Sequence, residues 1–127
     1  MKTATGQMLE IRSLPTGQGT VIVALTGRVD ASSAPVLEDE LVHLHQAGPR
    51  RIVIDATDLT FIDPNGLTVL VDAHRAFVER GGGLEIYNAS PVVGRTLDRT
   101  GVAHLLQSVT AIAPAAGGGG QDDPSAA

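Results

Sequence analysis

Two short runs of β-branched residues, TVIVALTG (20–27) and RIVIDA (51–56), enclose a segment with a different rhythm. Within it Leu37, Leu41 and Leu44 recur at i, i+4 and i+7, the spacing of one apolar stripe along a helix. Strand, helix and strand in that order require a crossover connection, which lays the two strands parallel. A second helical pattern follows, with Leu67, Leu70, Val71, His74, Phe77 and Val78 marking its buried face, and then another strand, LEIYN (84–88). This alternation is the pattern of an α/β layered sheet.

The remaining segments fit around that core. MLEIRSL (8–14) alternates apolar and polar residues, and PTGQG (15–19) carries hairpin-turn chemistry, so the strands at 8–14 and 20–27 pair antiparallel. The first helix takes Ser32 or Ser33 as its cap and tolerates Pro35 in its first turn, where backbone N–H groups lack intrahelical partners. Glu38, Asp39 and Glu40 near its start suit the helix dipole, and AGPR (47–50) ends it. The second helix stops at RGGG (80–83). The third begins with Ser90 as cap and Pro91 as first helical residue, and turns Val93 and Leu97 inward. LLQSVTAI (105–112) reads as a last strand. The expected order β-β-α-β-α-β-α-β describes one α/β domain over residues 1–113, a mostly parallel mixed sheet of about five strands with helices packed on it. Residues 114–127, PAAGGGGQDDPSAA, have too little apolar surface to repay ordering and are expected to be a disordered tail.

Composition narrows the function. Aromatic residues are 2% of the chain, so the core is aliphatic and stacking platforms for single-stranded nucleic acid are missing. A formal charge of −5 disfavours phosphate-backbone binding and favours a basic protein partner, which argues for no nucleic acid among the partners. With no cysteine, disulfides, thiolate chemistry and cysteine-bound zinc are excluded, in keeping with a cytoplasmic protein. No apolar run reaches signal-peptide or membrane-span length, so no membrane insertion is expected.

Enzymatic constellations are also missing. The sequence holds no GxxxxGK[ST], GxGxxG or GxSxG motif, and the glycines at 81–83 follow a helix, where they act as a stop signal. His43 and His45 lie two apart on a helix and point apart, while His74 and His104 are isolated, so no metal site is expected. Asp30, Asp55, Asp58 and Asp63 fall at expected strand ends, where capping and turn formation account for them without a cation. Neither a cofactor nor catalysis is implied. What stands out is TFIDPNGLTVL (60–70), because a segment leaving RIVIDA reaches the carboxyl edge of the sheet and turns into a helix there. Asp63 can cap that helix by accepting an N–H from Asn65 or Gly66, and Pro64 fits its first position. Gly66 allows close approach of another backbone.

Three stretches together resemble the STAS family, and within it the small bacterial anti-sigma-factor antagonists. They are LTGRVD (25–30), IVIDATDLTFIDPNGLTVL (52–70) and RGGGLEIYNASPVVGRTLDRTGV (80–102), and the similarity spans roughly residues 8–112. The resemblance implies a binding module, not an enzyme, that engages an anti-sigma factor, often one with an ATP-binding serine-kinase fold, and so frees a sigma factor for transcription. It also implies docking through Asp30, the 57–67 loop (Thr57, Asp58, Thr60, Asp63, Pro64, Asn65, Gly66, Leu67) and the start of the following helix.

In many members the partner phosphorylates a Ser or Thr directly after the signature Asp, and the complex then breaks. That position is Pro64, which has no hydroxyl. Three readings follow: a constitutively competent antagonist, a protein modified elsewhere (Thr57, Thr60 and Thr68 are the nearest hydroxyls), or a scaffold or ligand-binding STAS protein. The first is the one preferred. A rival role, as the STAS subunit of a transporter–ATPase complex, stays open on sequence alone.

Overall fold

The computed structural model describes the backbone of residues 2–6 and 8–102, with side chains from Met8 to Val102. The expected last strand at 105–112 and the tail at 114–127 lie outside the described residues. Five strands, β1 (Lys2–Gly6), β2 (Leu9–Gly17), β3 (Thr20–Val29), β4 (Arg51–Ile62) and β5 (Gly83–Tyr87), form one sheet in the order β1-β2-β3-β4-β5. The helices are α1 (Ala34–Ala47), α2 (Pro64–Val78) and α3 (Pro91–Thr100).

The first three strands run antiparallel and β3, β4 and β5 run parallel, so the mixed α/β architecture agrees with the sequence reading. The five strands are not the five expected. β1 was not anticipated, since KTATG offers no apolar alternation. It pairs antiparallel with β2 from Lys2↔Ser13 to Gly6↔Leu9.

The two parallel crossovers step in one direction across the sheet. Right-handed connections that do so place their helices on the same face, which sets α1 beside α2. Cross-strand rows such as Val23–Ile54–Ile86 and Val21–Ile52–Leu84 form the sheet's side of the core. Leu37, Leu41 and Leu44 of α1 cover it, with Leu67, Leu70 and Phe77 of α2 and Val93 and Leu97 of α3. Phe77 is fully buried, and every other large, fully buried side chain is aliphatic. Val78, expected in the core, is 48% exposed, because one residue past the fully buried Phe77 the helix turns its side chain about 100° away. No helix among the described residues is long and apolar enough to cross a membrane.

Two details of α1 depart from expectation. Ser33 is the N-cap residue, but its side chain makes no capping hydrogen bond; its hydroxyl donates to the Arg28 carbonyl at 2.8 Å instead. No acidic residue lies in the first turn, and Glu40 is buried, accepting a 2.8 Å hydrogen bond from the Ser13 hydroxyl. That pair holds α1 to β2 through an apolar layer, where an unpaired carboxylate would be costly.

The far ends of α1 and α2 are locked by a small polar knot. Arg80 donates to the Pro49 carbonyl at 3.1 Å and to His45 Nδ1 at 3.3 Å. Arginine has no acceptor, so Nδ1 accepts, and Nε2–H donates to the Ala76 carbonyl at 3.2 Å. The His45 ring meets Phe77 edge-on at 5.1 Å. Leu84 N–H donates to His74 Nδ1 at 3.0 Å, joining α2 to the start of β5.

The glycines of RGGG are thus stop and fit together. A Cβ on Gly82 would lie 1.6 Å from the Arg50 carbonyl oxygen, whereas one on Gly81 would meet nothing within 4 Å, although φ there is +90°. Gly82→Ala is therefore expected to cost about 3 kcal/mol or more, because backbone must move. Gly81→Ala should cost only about 1 kcal/mol of backbone strain. Urea denaturation of the two variants, read by circular dichroism, checks the ordering.

Candidate functional site

β4 is longer than its partner. Its 12 residues run beside the 10 of β3, and the register slips between Ala24 and Thr26 and again between Gly27 and Arg28. At the first slip Ala56 and Thr57 together oppose Leu25; at the second, Thr60 is the extra residue. These are β-bulges, which re-aim the side chains that follow them. As a result the buried positions of β4 run Ile52, Ile54, Ala56, then Leu59 and Ile62, leaving the period of two for a period of three. The segment expected to be a loop at 57–62 is strand for this reason.

Local hydrogen bonds hold each bulge. Asp55 Oδ1 accepts from the Thr57 N–H at 3.0 Å and the Thr57 hydroxyl at 2.6 Å. The Thr60 hydroxyl donates to the Gly27 carbonyl at 2.9 Å. Gly27 itself has φ +110°, and a Cβ there would lie 2.1 Å from the Met8 carbonyl oxygen. Only glycine fits at that contact.

β3 and β4 finish side by side, with Val29 opposite Ile62. The Asp63 N–H then donates to the Val29 carbonyl at 3.1 Å, extending the ladder one step past both strands. That bond sets Asp63 next to Asp30 on the carboxyl edge of the sheet, and both side chains are half-buried. Asp63 is a true N-cap: extended backbone, Oδ1 accepting the Gly66 N–H at 3.1 Å, Oδ2 accepting the Asn65 side-chain amide at 3.3 Å. Pro64 is the first residue of α2 and is exposed, as is Asn65.

Asp30 organises the other helix start. Its Oδ1 accepts from the Ser32 hydroxyl at 2.7 Å and the Ser32 and Ser33 N–H groups at 3.0 and 3.2 Å. The Ser32 hydroxyl is the largest influence holding the Asp30 carboxyl below its ordinary value of 3.8; partial desolvation opposes it, and the two N–H groups reinforce it.

The structure therefore brings together Asp30, Asp63, Pro64 and Asn65 on one rim. Thr57, Asp58 and Thr60 are exposed along β4 just before it. Leu67, set on the buried face by its helical spacing but on the docking surface by the resemblance, is 4% exposed and belongs to the core, so the second placement is corrected. Gly66 is buried too, and the expectation that it lets another backbone approach is corrected. A Cβ there would meet Val29 Cγ1 at 2.6 Å and Ile62 Cγ1 at 2.8 Å, so Gly66 makes room for the chain's own side chains.

Three neighbours went unnoticed in the sequence. The Arg28 guanidinium lies 4.3 Å over the Phe61 ring and its Nε is 3.9 Å from Asp30 Oδ2. Met8, 70% exposed, sits at the same end, since its carbonyl accepts the Arg28 N–H at 2.7 Å. GRVD and TFID flank the two aspartates, but only the bulged register places Arg28 opposite Phe61.

Comparison with known proteins agrees with this fold. The family model described as "Mlab, STAS domain" matches residues 13–107. An anti-sigma-B factor antagonist of Bacillus subtilis (strain 168) is 32% identical over 89 residues, covering 70% of this chain and 81% of the relative. Among solved structures, the anti-sigma factor antagonist SpoIIAA in its unphosphorylated form superposes with a TM-score of 0.69 at 19% identity, covering 79% of this chain and 88% of that one. An anti-sigma factor antagonist from Mycobacterium paratuberculosis gives 0.67 at 24% identity, covering 84% and 91%.

Two outcomes test the rim. The Asp30 carboxyl should titrate below 3.8 by carbon-detected NMR, and Ser32→Ala should move its midpoint upward. A depressed value stabilises the fold above the unfolded value and loses that contribution as pH falls through the folded one, so this turn should loosen only in acid. Gly66→Ala should lose about 1–3 kcal/mol on denaturation, crowding at Val29 outweighing the helix preference for alanine.

Proposed function

We propose that this chain, which belongs to the STAS domain family, is an anti-sigma-factor antagonist that binds an anti-sigma factor and thereby releases a sigma factor for transcription. The observation that carries the reading is the pairing of Asp30 and Asp63 at adjacent strand ends, each fixed by its own helix start, with Pro64 exposed directly after Asp63. Support comes from the names of the relatives, several of which are anti-sigma factor antagonists.

The chemistry is that of recognition. Two carboxylates held in place present acceptor oxygens to a basic partner surface without first having to be ordered, which lowers the entropic cost of association. Phe61 with Arg28 above it, and Met8 beside them, add apolar area next to the charges. Thr57, Asp58 and Thr60 extend the surface along β4. The cytoplasm, where sigma factors act, is the compartment this role requires.

Pro64 decides the regulation. In relatives switched by phosphorylation the acceptor hydroxyl follows the signature aspartate, and a dianion there sits beside two carboxylates and against the partner, which disfavours docking. Proline offers no oxygen, while its fixed φ and missing N–H suit the first helical position. The three threonines nearest in sequence each donate their hydroxyl within the fold: Thr57 to Asp55, Thr60 to the Gly27 carbonyl, Thr68 to the Pro64 carbonyl. The antagonist is therefore constitutively competent at this position, and its abundance sets its effect. The proposed partner is of the serine-kinase ATP-binding type, as the family resemblance implies.

Affinity capture from lysate of the native cell, followed by mass spectrometry, should recover an anti-sigma factor; finding neither that nor a kinase-like protein would refute the role. Asp63→Ala should lose the capture while remaining folded, with about 1 kcal/mol less stability from the missing cap. With the captured partner and ATP, Pro64→Ser should gain phosphate that wild type does not. Equal labelling of wild type would place the switch on another residue.

A further inference from the structure

We propose that the groove between α1 and α2 is a second docking surface, and that its occupant is a basic amphipathic helix of a partner protein. The groove encloses about 180 Å³ on the helical side of the molecule. Leu41, Val69, Ala73 and Phe77 line its floor, and Val42, 51% exposed, stands on its lip. The His45 ring closes one end and cannot itself greet a ligand, because both of its nitrogens are engaged by the Ala76 carbonyl and Arg80.

The banks carry charge of one sign. Glu38 on α1 and Asp72 on α2 line the groove from opposite sides, and both are exposed. Among the described residues neither has an ion-pair partner. Carboxylates on both banks of an apolar trough set a negative potential along it, which a lysine or arginine laid beside each of them complements. Such side chains also lay aliphatic stems on apolar surface while their charged heads stay in water. The complement of this groove is therefore an apolar ridge bordered by cations.

Length favours a helix. The lining residues run from Glu38 to Gln46 on α1 and from Val69 to Phe77 on α2. At a rise of about 1.5 Å per residue each wall is about 12 Å long, roughly two turns of a third helix. The two walls are parallel, since both helices start from the carboxyl edge of the sheet, so a third helix can lie along both. This surface does not depend on the identity of the partner at the Asp30–Asp63 rim.

The test uses a fluorescein-labelled Leu/Lys peptide of about 14 residues, long enough to be helical when bound, with leucines at i, i+3, i+4 and i+7. It should bind wild type, with amide shift changes confined to residues 38–46 and 69–77. The double variant Glu38→Lys with Asp72→Lys should weaken it at least about tenfold, given the coupling typical of close charge pairs. A control with the same charge change off the groove, Asp58→Lys with Asp98→Lys, should weaken it by less than about twofold, the range of screened distant charges. All four positions are exposed, and circular dichroism verifies folding. Equal weakening in both variants would reduce the effect to net charge and overturn the proposal. So would shift changes elsewhere, equal binding of the Leu/Glu counterpart, or no binding to wild type. Asp63→Ala should leave peptide affinity unchanged, which separates this surface from the rim.

Discussion

One backbone hydrogen bond, from the Asp63 N–H to the Val29 carbonyl, ties the molecule's chemistry to its core. It exists because β3 and β4 stay paired to their last residues, through two bulges, instead of parting where the apolar run ends. Past that bond, the chain on each side must enter a helix within a few residues. Asp63 and Asp30 take on the job of starting those helices, and so become fixed in space. The rim thus inherits its rigidity from the sheet. A buried aliphatic core of Val, Ile and Leu, which recognises nothing, is what aims two carboxylates.

The parts of this arrangement that were legible in the sequence are those governed by local rules. The runs around Val23, Ile54 and Ile86 announced strands, the stripe Leu37–Leu41–Leu44 announced α1, and the cap formed by Asp63 followed from the preference of aspartate for that position before proline. What escaped was set by pairing at a distance. β1 is a strand because β2 offers it an edge, not because KTATG prefers to be one. The stretch 57–62 looked like a loop because its bulges destroy the alternation that periodicity detects. Leu67 was placed on the docking surface only by the resemblance, whereas the helical stripe had set it on the buried face, where it lies. Arg28 and Phe61 met only after the register had shifted.

The site also shows two ways of placing an acceptor. Asp63 gives one oxygen to the Gly66 N–H, and the Asn65 side-chain amide steadies the other. Asp30 gathers its serines on one oxygen and keeps the second toward Arg28. In both cases a conventional turn or cap already accounts for the conformation, so the proposed recognition role would add no strain to it. That is why residue types alone could not separate the two roles, and why the separation needs a variant that folds but does not bind.

Strand order in this sheet equals chain order, β1 through β5. Each strand therefore meets a neighbour that has already been made. A chain emerging from the ribosome has every backbone contact of the rim in hand once α2 is out, since the bonds that fix Asp30 and Asp63 all lie between Arg28 and Gly66. The rim's own bonds are thus complete within residues 28–66, and neither β5 nor α3 supplies any of them.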